Sequence, residues 1–166
     1  MARARRGPAS SRERPAGYPS RLPGPLYCDA SALLKLYLPE PGSDEFNRAV
    51  EGRDDLLASD LAVTEIVSAV ARRVRDGGLT HVDAARIHRA IVTALDDGLY
   101  RHLELTRPVH RQAERLLLSG GGVPLRAADA LHLALAVSAG AASMATFDAR
   151  LGGAARLLGL AIYPHV

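Results

Sequence analysis

A chain of 166 residues, 48% hydrophobic and 23% charged, has the length and balance of one globular domain with a single core. Its lone cysteine, Cys28, excludes an internal disulfide framework and a multi-thiolate metal cluster, and fits a reducing, cytoplasmic compartment. The net charge of +3 does not mark a nucleic-acid binder. The first 24 residues carry six arginines against one glutamate, a surplus of +5 that leaves the rest of the chain at −2.

Residues 1–24 are rich in Arg, Pro, Ser and Gly without apolar periodicity, which predicts a disordered basic tail ahead of one domain over 25–166. No apolar core follows the basic residues as a signal peptide requires, and no run approaches the roughly 18 apolar residues of a membrane span. From Leu26 short apolar runs alternate with helical patterns. Leu26–Asp29 reads as a strand and Ser31–Leu38 as a helix stopped by Pro39-Glu40-Pro41-Gly42. Ser43 is expected to cap a short helix with Asp44 and Glu45 at its positive end and Phe46 and Val50 inward.

Asp55–Ser59 predicts a second strand, and a helix from about Leu61 to Arg75 ends at Gly77-Gly78. Thr80 should cap the next helix, to about Asp97, with Val82, Ala85, Ile87, Ile91, Val92 and Leu95 as core positions. Tyr100–Leu105 alternates weakly as a third strand, and Pro108 suits the start of a helix to Leu118. Ser119-Gly120-Gly121-Gly122 lacks the Gly-Lys-Ser/Thr ending of a phosphate loop and reads as a connector. A helix over about 126–139, a strand Ser143–Phe147, a helix over about 151–158 and a strand Leu160–Tyr163 complete the chain. This alternation implies an α/β fold, a mostly parallel sheet of four to five strands flanked by helices.

Four acids stand at strand tips or helix starts. Asp29 ends the first apolar run, Glu65 lies early in the third helix, Asp129 opens an otherwise apolar helix and Asp148 follows Met144-Ala145-Thr146-Phe147. In a parallel sheet one edge gathers such positions. Taken singly, Asp129 and Asp148 also suit helix starts, and Glu65 a solvated helix face. As a set, four carboxylates in one pocket repel unless a cation joins them, and hard divalent ions take oxygen ligands. Such an ion activates water for hydrolysis.

The stretch Asp29-Ala30-Ser31-Ala32-Leu33-Leu34-Lys35-Leu36-Tyr37 with Pro39-Glu40-Pro41-Gly42-Ser43 resembles the opening of PIN-domain proteins, especially VapC-type toxins of toxin–antitoxin pairs. Leu125-Arg126-Ala127-Ala128-Asp129-Ala130-Leu131-His132-Leu133-Ala134 and Thr146-Phe147-Asp148-Ala149-Arg150-Leu151 resemble the later signatures of that family, and the likeness covers residues 26–166. It implies a PIN fold, a metal-dependent endoribonuclease, and Mg²⁺ or Mn²⁺ held by Asp29, Glu65, Asp129 and Asp148. It further implies an RNA substrate, a homodimer, and an antitoxin whose C-terminal segment enters the acidic groove. The family pattern casts Ser31 as a support of Asp29, and Thr146 as the same near Asp148, although ordinary turn hydrogen bonds explain both hydroxyls equally well.

Other residues carry two readings each. His132, three residues after Asp129, is a packing histidine or a metal ligand. Arg126 steadies a phosphate or pairs with an acid, and Arg72, with Arg73 and Arg75, meets RNA backbone or forms a solvated helix end. Two rival functions stand beside the ribonuclease. One is a degenerate PIN domain that only binds. The other is a haloacid-dehalogenase-type phosphohydrolase, which wants an Asp where this chain has Ser31.

Overall fold

The computed structural model of the protein describes residues 22–119 and 124–164. The tail up to residue 21 and the glycines of the Ser119–Gly122 connector lie outside the described residues. Five parallel strands form one sheet: β1 (Leu26–Cys28), β2 (Leu56–Ser59), β3 (Arg101–Leu103), β4 (Ser143–Ala145) and β5 (Ala161–Tyr163), in the order β3-β2-β1-β4-β5. The helices are α1 (Ala30–Leu34), α2 (Ser43–Val50), α3 (Asp60–Arg75), α4 (His81–Asp96), α5 (Arg107–Leu118), α6 (Ala127–Ser138) and α7 (Ala149–Leu157).

Helices cover both faces of the sheet, so its inner strands are unbroken apolar runs rather than alternating ones. β1, β2 and β4 are buried at every position. The two-residue period of the strand sends Leu26 and Cys28 to one core and Tyr27 to the other. The first core gathers Leu33, Phe46, Ile66, Val70 and Ile91, from α1 to α4. The second gathers Val109, Ala113, Leu133, Leu135 and Leu151, from α5 to α7. Being apolar nearly all round, α6 is buried over most of its length. β3 forms an edge and exposes Arg101 and His102, charged or polar side chains that discourage further strand pairing. No helix among the described residues is long and apolar enough to cross a membrane.

From β1 the chain builds outward through β2 and β3, then returns to add β4 and β5 on the other side. The reversal opens a crevice between the C-terminal ends of β1 and β4, where open parallel sheets bind ligands.

Three local expectations are corrected. Ser43 does not cap α2 but is its first residue; Gly42 is the N-cap, at φ 85, a left-handed conformation that glycine adopts without strain. The Ser43 hydroxyl instead accepts from the Glu40 N–H and donates to the Leu38 carbonyl, at 3.0 and 3.2 Å, tying up the preceding turn. Val82 is 74% exposed and Ala85 is not buried either, because α4 lies on the outside and turns only Ile87 and Ile91 fully inward. The regular part of α1 ends at Leu34, and residues 35–38 continue as turns. Thr80 caps α4 as expected, accepting from the Asp83 N–H at 3.1 Å.

Candidate active site

Asp29 follows β1 directly and caps α1. Its Oδ1 accepts from the Ser31 hydroxyl at 2.7 Å and the Ala32 N–H at 2.9 Å, and its Oδ2 accepts from the Thr146 hydroxyl at 2.6 Å. The residue is 4% exposed, and burial pushes its carboxyl above the ordinary carboxylate range. The Thr146, Ala32 and Ser31 hydrogen bonds pull the other way without cancelling that effect. The two hydroxyls also tie β1 to β4: Ser31 Oγ accepts from the Phe147 N–H at 2.8 Å and Thr146 Oγ1 from the Asp148 N–H at 3.1 Å.

The other acids reach the same crevice from three further segments. Asp148 caps α7, its Oδ1 accepting from the N–H groups of Arg150 and Leu151 at 2.8 and 3.1 Å. Asp129 sits in the first turn of α6 and is 8% exposed; its Oδ2 accepts from the Arg126 backbone N–H at 2.9 Å. Glu65, one turn into α3, faces His132 at 2.6 Å. All four line one open cleft of about 370 Å³ together with Ser31, Lys35, Glu40, Arg72, Arg73, His132 and Phe147.

The cleft is acidic at its base and basic at one rim. Lys35 Nζ donates to the Pro41 carbonyl at 2.8 Å, lies 3.5 Å from Glu40 and sits 4.3 Å above the Phe147 ring. Glu40 also pairs with Arg73, whose Nη1 is the one buried side-chain nitrogen among the described residues without a partner. Arg72 is exposed at the same rim.

The donors are hard carboxylate oxygens. The nearby thiol, Cys28, is fully buried inside β1 and its pKa is pushed up by burial, so it offers no thiolate. That donor chemistry suits a divalent ion of the Mg²⁺ or Mn²⁺ type. As placed, no three His, Cys, Asp or Glu side chains among the described residues are grouped tightly enough to hold one. Arg150 bridges two of the acids: its Nε–H donates to Asp129 Oδ2 at 3.0 Å while Nη2 lies 3.6 Å from Asp148 Oδ2.

Sequence reasoning singled out the acids, Ser31, Thr146 and Arg72, and these come together here. Arg126 does not join them: it lies outside the cleft lining, and its backbone N–H is what reaches Asp129. Arg150 makes the pairing contemplated for Arg126. The sequence clue was its place two residues after Asp148 within the third signature, but nothing local shows that it reaches back to α6. The contacts of Glu40, Lys35 and Arg73 carry no local signal either.

The family model of the PIN domain matches residues 26–157. Ribonuclease VapC49 of Mycobacterium tuberculosis is 34% identical over 143 residues, 84% of this chain and 94% of that protein. Ribonuclease VapC46 of the same organism is 30% identical over 147 residues, 82% of this chain and 95% of that protein. The crystal structure of M. tuberculosis VapC20, described as a sarcin-ricin loop cleaving toxin, superposes with a TM-score of 0.63 at 17% identity, covering 78% of this chain and 95% of that one. The chain therefore belongs to the PIN domain family, in the company of the VapC ribonucleases.

Proposed function

We propose that the protein is a divalent-metal-dependent endoribonuclease that hydrolyses RNA phosphodiester bonds and is neutralised by a cognate antitoxin protein. The observation that carries this reading is the convergence of Asp29, Glu65, Asp129 and Asp148, from four separate segments, on one cleft at the C-terminal edge of a parallel sheet. Asp29, Glu65, Asp129 and Asp148 would hold Mg²⁺ or Mn²⁺. When bound, such an ion polarises phosphoryl oxygens and acidifies water enough for it to attack phosphorus.

The chain's own groups do the rest. Ser31 and Thr146 fix both oxygens of Asp29, so that its buried charge has one orientation. Glu65 and Asp148, the more exposed acids at 36% and 42%, can accept the proton released from attacking water. Arg72, with Arg73 beside it, supplies positive charge to the RNA backbone at a cleft whose base would otherwise repel it, and Arg126 extends that surface outside the cleft. The relatives named ribonuclease support the substrate class, and the toxin description of VapC20 supports an antitoxin partner. A homodimer and a cytoplasmic location complete the proposal.

Membership of the PIN family removes the dehalogenase-type alternative, and Ser31 at the position of its second Asp agrees. The test is RNA cleavage with Mg²⁺ or Mn²⁺ by the wild type and by Asp29→Asn. Loss of cleavage in the variant and on chelation supports the reading. Equal cleavage by the two proteins overturns it, and an inactive wild type that takes up no metal would make the chain a binding module.

A further inference from the structure

A buried hydrogen-bond chain runs behind Glu65 into the core. His132 Nε2 lies 2.6 Å from Glu65 Oε2, His132 Nδ1 lies 2.7 Å from the Tyr27 hydroxyl, and that hydroxyl lies 2.9 Å from Ser59 Oγ. Tyr27 and Ser59 are fully buried and His132 is 3% exposed. Three polar side chains in a core are costly unless each is satisfied, and with a neutral imidazole the donors and acceptors admit one consistent order.

An ionised Glu65 only accepts, so His132 Nε2 carries a proton. In the neutral ring Nδ1 is then an acceptor, which makes Tyr27 its donor. The Tyr27 hydroxyl is fully buried 2.7 Å from that nitrogen and has one proton to donate to it. The Tyr27 oxygen can accept in turn from Ser59, whose own oxygen accepts from the Ala62 N–H at 3.2 Å as the cap of α3. The direction is Ser59 to Tyr27 to His132 to Glu65.

Each member is rooted beside an acid of the cleft. Tyr27 stands two residues before Asp29 on β1, Ser59 caps the helix that carries Glu65, and His132 is three residues beyond Asp129 on α6. We propose that His132 is a positioning residue for Glu65. Its imidazole, set in one tautomer by Tyr27 and Ser59, grips one carboxylate oxygen and leaves the other to the cation of the cleft. This rests on the reading of the cleft as a divalent-cation site. Outer partners that orient a ligating group typically matter at the level of 10–100-fold in metal affinity.

The experiment is calorimetric titration of the full-length protein with Mn²⁺, without RNA, on the wild type, His132→Gln, His132→Asn and Tyr27→Phe. A glutamine places its amide donor where Nε2 lies and keeps the grip on Glu65. An asparagine reaches only as far as Nδ1 and keeps only the contact with Tyr27. Positioning predicts Mn²⁺ affinity within about threefold of wild type for the glutamine variant and about 10–100-fold weaker for the asparagine variant. Tyr27→Phe should fall between them.

A histidine that merely fills the core predicts no such order. Equal affinities for all folded variants, or tighter binding by asparagine than by glutamine, overturn the proposal. Circular dichroism checks folding, and the imidazole ¹⁵N shifts of His132 in the unmodified protein test the tautomer without any substitution. An Nδ1–H tautomer there overturns the proposal. A wild type that binds no Mn²⁺ overturns the cation site and this inference together, whereas a wild type that binds and an asparagine variant that binds equally overturn the inference alone.

Discussion

The Nε–H of Arg150 donates to Oδ2 of Asp129 at 3.0 Å, so one acid of the cleft is already partnered by a cation from within the chain. A guanidinium in that position competes with a divalent ion for the same oxygen and repels it. Arg150→Gln should therefore bind Mn²⁺ about tenfold more tightly, the equivalent of about 1.4 kcal/mol. The metal-free variant should lose about 1 kcal/mol of stability, since the arginine side chain is 29% exposed and its ion pairs are partly screened. Calorimetric titration and urea melts check the two halves, and weaker Mn²⁺ binding by the variant would show that Arg150 helps rather than competes.

Burial raises the Asp29 carboxyl above its ordinary 3.8, so the native state holds that proton more tightly than the unfolded chain. The associated stability is fully present below 3.8 and is lost as pH rises through the raised native value. Asp29→Asn has no proton to lose there. With chelator present, the stability of the variant relative to wild type should rise with pH across that window and then level off. Urea melts from mildly acidic to neutral pH measure the difference, and a flat difference would contradict the assignment of burial as the dominant cause.

Thr146 joins two acids through one oxygen, donating to Asp29 Oδ2 at 2.6 Å and accepting from the Asp148 N–H at 3.1 Å. Thr146→Val keeps the shape and removes both bonds. We expect a stability loss of about 1–3 kcal/mol, as for a buried partner left unsatisfied. Cleavage should fall about 10–100-fold, as for loss of a group that orients a ligand. Activity close to wild type in a folded variant would mean that Asp29 needs no such anchor.

Cys28 is 0% exposed, and burial chiefly, aided by the neighbouring Asp29 charge, pushes its thiol up. A thiol reagent at mildly alkaline pH should leave the native protein unmodified and label it stoichiometrically once urea unfolds it. Rapid labelling without denaturant, read by mass spectrometry, would show that β1 opens in the native state.

Arg72 is exposed at the cleft rim, where its guanidinium is free to reach a phosphate. Arg72→Gln should weaken single-stranded RNA binding about equally across sequences and make the salt slope shallower by about 0.7, the share of a single phosphate. Fluorescence anisotropy at several salt concentrations measures it. An unchanged slope would return Arg72 to an ordinary solvated helix end.

The strands and their acids were readable because the signals are local. Apolar runs such as Leu26–Cys28 end abruptly in a carboxylate, and a parallel sheet puts such ends on one edge. Asp129 was conspicuous for the same reason, a charge opening a helix that is apolar almost all round. Ser43 misled because a serine before two acids is the usual cap signature. The left-handed Gly42 moved the helix start one residue earlier and freed the hydroxyl for the turn. Val82 misled because periodicity reports a face, not how deeply a helix is laid into the core. The Arg150–Asp129 pair and the His132–Tyr27 bond join residues 21 and 105 positions apart, and no periodicity encodes such distances.

The bond between Asp29 and Thr146 spans 117 positions, and β1 finds its second sheet neighbour only in β4. A ribosome that has made two thirds of this chain has therefore made no working cleft, however well the first strands have collapsed. Chains that stop before β4 also lack Thr146 and Asp148, and with them one support and one acid of the cleft. Placing the centre of the sheet first and its closing strands later delays completion of the cleft until β4 has been made.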